Sequence, residues 1–300
     1  MPKIIQFLHP NQEALPTNID DKTIKWNNFQ THRRKFLLSN GEYINQNGEL
    51  KADDLTFWGE WEPQSEIIKI INQRIHLPNY LNIPYLDPSV PERTHTTDPY
   101  VFGKNYKYFI CRQHSNRHIL KNLEPNSIIL FGSCINFKFC LDTLFVVSEN
   151  RKRYSSENIE EIFPFDKRGQ FYYSCIDPIF GNSLCNPEVE EEDNCRANNR
   201  EEFVCYDSTN YYEVKEVEDI YSFVPCKLYD KENIKNSVFT QPAIDLDFIQ
   251  PQQTMGINSK ECTITEIKDY WNDITSQIQK KDLLKGTAFK TPPIKKQNGG

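Results

Sequence analysis

The residues best equipped for chemistry fall in two short clusters, Phe57-Trp58-Gly59-Glu60-Trp61-Glu62 and His32-Arg33-Arg34-Lys35. Side chains alternate across an extended strand, so an all-strand reading puts Trp58, Glu60 and Glu62 on one face and Phe57, Gly59 and Trp61 on the other. Two carboxylates beside an indole can accept hydrogen bonds from a base edge, coordinate a metal, or work as acid and base if burial separates their proton affinities. Gly59 leaves room for a flat ligand or a crossing backbone. The plainer reading makes Trp61 a core residue and pairs the carboxylates with nearby Arg or Lys. The basic cluster offers bidentate guanidinium contacts to an anion, and His32 exchanges protons near neutral pH. A basic run this short is also commonly a solvated face. The candidate catalytic residues are therefore Glu60, Glu62 and His32, and the candidate ligand contacts are Trp58, Arg33, Arg34, Lys35 and Trp26.

Other reactive side chains carry weaker patterns. His114 and His118 have the i,i+4 spacing of a metal-binding helix, but Ser115-Asn116-Arg117 between them supplies no acid of the H-E-x-x-H kind. Cys175, Cys185, Cys195 and Cys205 recur every ten residues without a C-x-x-C knuckle, and nine cysteines is an odd number. They read as reduced thiols, and neither a metal nor a cofactor is expected. The glycine-rich phosphate loops and the G-x-S-x-G elbow are absent, which removes the usual support for a nucleotide-driven motor, a dehydrogenase or an α/β-hydrolase.

The elements that must hold these groups are mostly strands. Aromatics make up 13% of the chain, with 19 Phe and 15 Tyr, and such residues favour sheets over helical bundles. Lys3–Leu8 reads as a first strand, Asn40-Gly41 and Asn47-Gly48 as turns, and Leu55–Glu62 as a strand closed by Pro63. Ser65–Ile75 has its isoleucines at helical spacing. Residues 77–99 hold five prolines and read as a long loop, followed by a strand over Tyr100–Cys111 and a short helix over His114–Leu123. Ile128–Phe131 and Phe137–Val147 are the next extended segments, parted by a Gly132-Ser133 break. Thr263 and Glu266 form a capping box ahead of the stripe Ile264, Ile267, Trp271, Ile274 and Ile278, with Gly286 as the stop. The fold class is α+β: a strand-rich, mixed, barrel-like core with peripheral helices and a C-terminal helix.

Residues 1–119 hold 14 Lys and Arg against 13 Asp and Glu, plus all six histidines, whereas the rest hold 21 against 29. This places a polar site in the N-terminal portion. Glu188–Asp219 contains 12 acidic and three basic residues and reads as a mobile acidic insertion. The expected organisation is a β-rich core with the site over 1–180, an acidic loop over 181–219, remaining strands and helix over 220–288, and a disordered tail over 289–300. No apolar run approaches the roughly 20 residues of a membrane span, and the N-terminus lacks a signal-peptide core, so a cytoplasmic protein is expected.

The segment Leu123-Glu124-Pro125-Asn126-Ser127-Ile128-Ile129-Leu130-Phe131-Gly132-Ser133, continued by Phe139–Val147, resembles the turn, strand, glycine and return strand of PUA-like barrels such as ASCH and EVE domains. That resemblance implies recognition of RNA or a modified base. It suits the stacking and acceptor groups around Trp58 and Glu60, and the overall acidity favours a small nucleotide or a single-stranded or flipped base over a duplex. An enzyme using Glu60 or Glu62 as base and His32 as acid draws on the same residues. A partner-binding protein would instead engage a basic surface through the acidic loop.

Overall fold

Ile128–Phe131 and Leu144–Val147 are apolar without alternation, the pattern of strands covered on both faces. In the computed structural model both runs are strands with buried faces on either side; it describes residues 1–8, 13, 34–71, 77–87, 98–113, 118–155, 157–164, 166, 168–177, 202–216, 219–250 and 256–295. Among these, β1 (Lys3–Leu8), β7 (Ile128–Ile135), β8 (Lys138–Tyr154), β9 (Phe203–Ser208), β11 (Gly256–Glu261) and the two-residue β6 (Lys107–Tyr108) form one sheet in the order β11-β1-β7-β8-β9-β6. The second sheet contains β2 (Lys35–Ile44), β3 (Leu50–Gly59), β4 (Ser65–Ile70), β5 (Tyr80–Pro84), β10 (Val224–Leu228) and β12 (Leu284–Phe289), in the order β12-β10-β3-β2-β5-β4, with β12 also pairing with β2. Each sheet has one parallel pair, β1–β7 and β2–β5, among antiparallel ones. The protein is thus strand-rich α+β, with two mixed sheets in place of a closed barrel.

The central strands feed two cores. Ile5, Phe7, Ile129, Phe131, Phe145 and Val147 join Leu37, Leu55 and Phe57 in one. The alternate residues Ile4, Leu8, Ile128, Leu130, Leu144 and Val146 face a second, closed by Ile267, Ile274 and Ile278 of the helix Ile264–Gln279. That helix starts at the expected capping box, Thr263 accepting from the Glu266 N–H and Glu266 from the Thr263 N–H. β8 links the sheets through paired hydrogen bonds between Leu144 and Phe223, just before β10.

Several expectations are overturned. Asn40-Gly41 is no turn: β2 runs through it, and the glycine is there because a Cβ would meet the Ala288 carbonyl oxygen at 2.6 Å. Asn47-Gly48 does turn, with Gly48 at φ 81°. Ser65–Ile70 is strand β4 rather than helix, since its β-branched residues pair antiparallel with β5, itself inside the expected proline-rich loop. Tyr100–Cys111 contributes only Lys107–Tyr108 as regular strand, because the chain folds back at Gly103 (φ 92°) and Tyr100 bridges Lys107. Gly132-Ser133 does not break β7. The helix ends at Gln279, and Gly286 lies in β12 against Phe289. The expected acidic loop contains β9, a buried core strand, and the expected tail contains Phe289 of β12 and a bridge from Ile294 to Leu86. Trp26, His32, Arg33, His114, Cys185, Cys195 and residues 296–300 lie outside the described residues.

Candidate functional site

Strand register brings the two chemical clusters together. Lys35 opens β2 opposite Gly59, the last residue of β3, so the chain leaving β3 at Glu60 passes beside Arg34. Arg34 Nη1 donates to Glu60, and its Nε donates to Asp142 at 2.6 Å. Asp142 reaches this point through a β-bulge: Phe131 pairs with Thr143 and Gly132 with Leu141, leaving Asp142 as the extra residue. Bulges re-aim side chains in this way. The partner position must be glycine, since a Cβ on Gly132 would lie 2.1 Å from the Cys140 carbonyl oxygen. Gln241 completes the cluster by donating through Nε2 to Asp142. Arg34, Glu60, Asp142 and Gln241 are all buried.

Two further buried acids surround this core. Glu62 attracts the ammonium of Lys35, whose Nζ donates to the Pro63 carbonyl oxygen at 2.9 Å. Asp98 accepts from the backbone N–H groups of Phe109, Ile110 and Cys111 at 3.0, 2.9 and 2.6 Å. Burial pushes its carboxyl up to about 7, against the pull of those three donors, and the charge of Glu60 adds to the rise. Burial likewise drives Lys35 well down despite Glu62. For Arg34, desolvation opposes the charge, but Asp142 and Glu60 outweigh it and hold the guanidinium firmly protonated. Asp142 is raised by burial, with Arg34 and Gln241 offsetting part of the rise. Cys111 is pushed well up by burial and by the nearby Asp98 and Glu60, so its thiol stays protonated. Four acids thus share the buried region with two bases, an arrangement that favours ligands bearing N–H donors or positive charge.

Arg34, Lys35, Glu60 and Glu62 are therefore neighbours, joined by Asp142, Asp98 and Gln241, which the sequence did not single out. Trp58 is corrected. β3 stops at Gly59, so the alternation does not carry to Glu60, and the Trp58 indole enters the second core. There its Nε1 donates to Phe239 O at 2.9 Å and its ring packs on Phe36 with centroids 5.3 Å apart. Trp61 is core, edge-on to Phe102, and the space beside Gly59 is filled by Phe57 and Leu37. A signal for Asp142 did exist, as the lone acid in Phe139–Val147; Asp98 had none.

Among the described residues no group of three or more His, Cys, Asp or Glu is arranged to hold a metal ion, and no helix is long and apolar enough to cross a membrane. Comparison of the chain with protein-family models, curated proteins and solved structures finds no match.

Proposed function

We propose that the Arg34–Glu60–Asp142 cluster recognises a nucleotide or a modified base, taken as a small molecule or as a flipped or single-stranded residue. The observation that carries this reading is the Arg34 guanidinium. It is held on two sides by carboxylates, and its buried Nη2 has no hydrogen-bond partner among the described residues. A buried donor left unmade costs about 1–3 kcal/mol, which a base carbonyl oxygen would recover. Excess carboxylate beside it suits the amino or ring N–H groups flanking such a carbonyl on a base edge. His32 and Arg33 adjoin Arg34 in sequence and add anion-binding capacity to the same stretch.

A second reading, acid–base chemistry on the same ligand, draws on Asp98, whose carboxyl is pushed up to about 7 by burial, with the charge of Glu60 adding to the rise. The test common to both is mass spectrometry of small molecules released on denaturing the purified protein, followed by calorimetry with nucleosides and nucleotides. Binding that Arg34→Lys weakens about tenfold or more is expected, because lysine keeps the charge and loses the planar fork. Absence of any released or titratable nucleotide, or unchanged affinity in a folded Arg34→Lys protein, overturns the reading.

A further inference from the structure

Lys285 lies in β12, flanked by Pro225 of β10 on one side and Ile44 of β2 on the other. Its side chain enters the second core, where Nζ sits 5.5 Å from the Trp271 ring centre and 5.8 Å from that of Tyr221. The residue keeps only 8% of its surface, and its nitrogen is not one of the wholly buried side-chain atoms that lack a hydrogen-bond partner. Among the described residues this amine has neither an ion pair nor a side-chain hydrogen bond. Of the charged groups on the elements around it, Lys268 of the C-terminal helix pairs with Asp219, and Glu42 of β2 accepts from the Tyr212 hydroxyl. Both ring contacts fall near the outer limit of about 6 Å for a cation over a π face, so they support the ammonium only weakly. Burial lowers the proton affinity of this amine, and no charged group offsets it.

An amine placed on aromatic faces, with no anion to hold its proton and its nitrogen not wholly covered, has the setting of a nucleophilic lysine. We propose that Lys285 is a reactive amine that forms an imine with a small, flat aldehyde seated against Trp271 and Tyr221. The Nζ lone pair adds to the carbonyl carbon, one amine proton passes to the carbonyl oxygen to give the carbinolamine, and its hydroxyl leaves as water with the second amine proton as the C=N bond forms. The rings are held for this role, Trp271 Nε1 donating to Tyr221 O at 2.9 Å with the two ring centres 5.0 Å apart. The site is separate from the Arg34 cluster and does not depend on the function proposed for it.

The test uses the full chain. Limiting benzaldehyde with sodium cyanoborohydride at pH 7 traps each imine as a benzylamine, and peptide mass spectrometry measures the label on every lysine. Lys285 is expected to take up label at least about threefold faster than the exposed Lys231 and Lys280, and that preference should shrink when acetaldehyde, which has no ring, replaces benzaldehyde. Labelling of Lys285 at or below the reference lysines overturns the reactive amine. An equal preference with both aldehydes overturns the aromatic seat.

Discussion

Replacing Asp98 by Asn tests whether burial or hydrogen bonding governs the central acid. The folded chain holds the Asp98 proton up to about pH 7, while the unfolded chain releases it near the ordinary 3.8. Between those values folding takes up a proton, so the stability this group contributes is fully present below 3.8 and is lost as pH rises to about 7. Three units at 1.36 kcal/mol each make that loss about 4 kcal/mol. Asparagine does not titrate. It also turns an amide donor toward one of the three backbone N–H groups, a pH-independent cost of about 1–3 kcal/mol. In urea unfolding, wild type should be the more stable by about 1–3 kcal/mol at pH 4, and the difference should move by about 4 kcal/mol and change sign by pH 8, where Asp98→Asn is the more stable. A constant difference across the range would refute the reasoning and show that the three donors keep Asp98 ionised throughout.

Gly132→Ala should destabilise by about 3 kcal/mol, because the new Cβ would sit 2.1 Å from Cys140 O and displace the bulge that aims Asp142; an unchanged urea midpoint contradicts this. Phe137→Gly should stabilise by about 0.5–1 kcal/mol in the same assay. Asn136 and Phe137 form the β7–β8 turn at φ 50° and 62°, and the phenyl ring is 80% exposed, so glycine relieves backbone strain while giving up little packing. Trp271→Ala should cost about 2–3 kcal/mol, below the loss for a fully buried indole, since Trp271 is half-buried against Tyr221 and Phe223; a change in thermal unfolding equivalent to less than about 1 kcal/mol would show that the helix is anchored by its isoleucines alone.

What the sequence made legible was local. The first strand, the Asn47-Gly48 turn, the extended segments at Ile128–Phe131 and Phe139–Val147 and the capping box each follow from a few adjacent residues, and the structure has them where the pattern puts them. Glycines were misread where their reason lies in the partner strand: Gly41 answers to Ala288 and Gly132 to Cys140, neither of which a turn motif reveals. Isoleucine spacing in β4 suited either period, and pairing with β5 decided it. Half of the candidate site was visible, because Arg34, Lys35, Glu60 and Glu62 sit at the ends of two strands that register directly. Asp142, Gln241 and Asp98 arrive through a bulge and two irregular segments, which no periodicity encodes.

The pairing of β1 also bears on how the protein is made. Lys3 finds its antiparallel partner Glu261 only 258 residues later, and β2 waits similarly for β12. At about 5–20 residues per second, a ribosome needs about 13 to 50 s to supply β11 after β1 has been synthesised. Through that interval Ile4, Ile5, Phe7 and Leu8 belong to a strand with one flank unfilled. Vectorial synthesis therefore cannot finish either sheet piecemeal, and the nascent chain has to be kept from pairing with its neighbours on the polysome until its last two strands arrive.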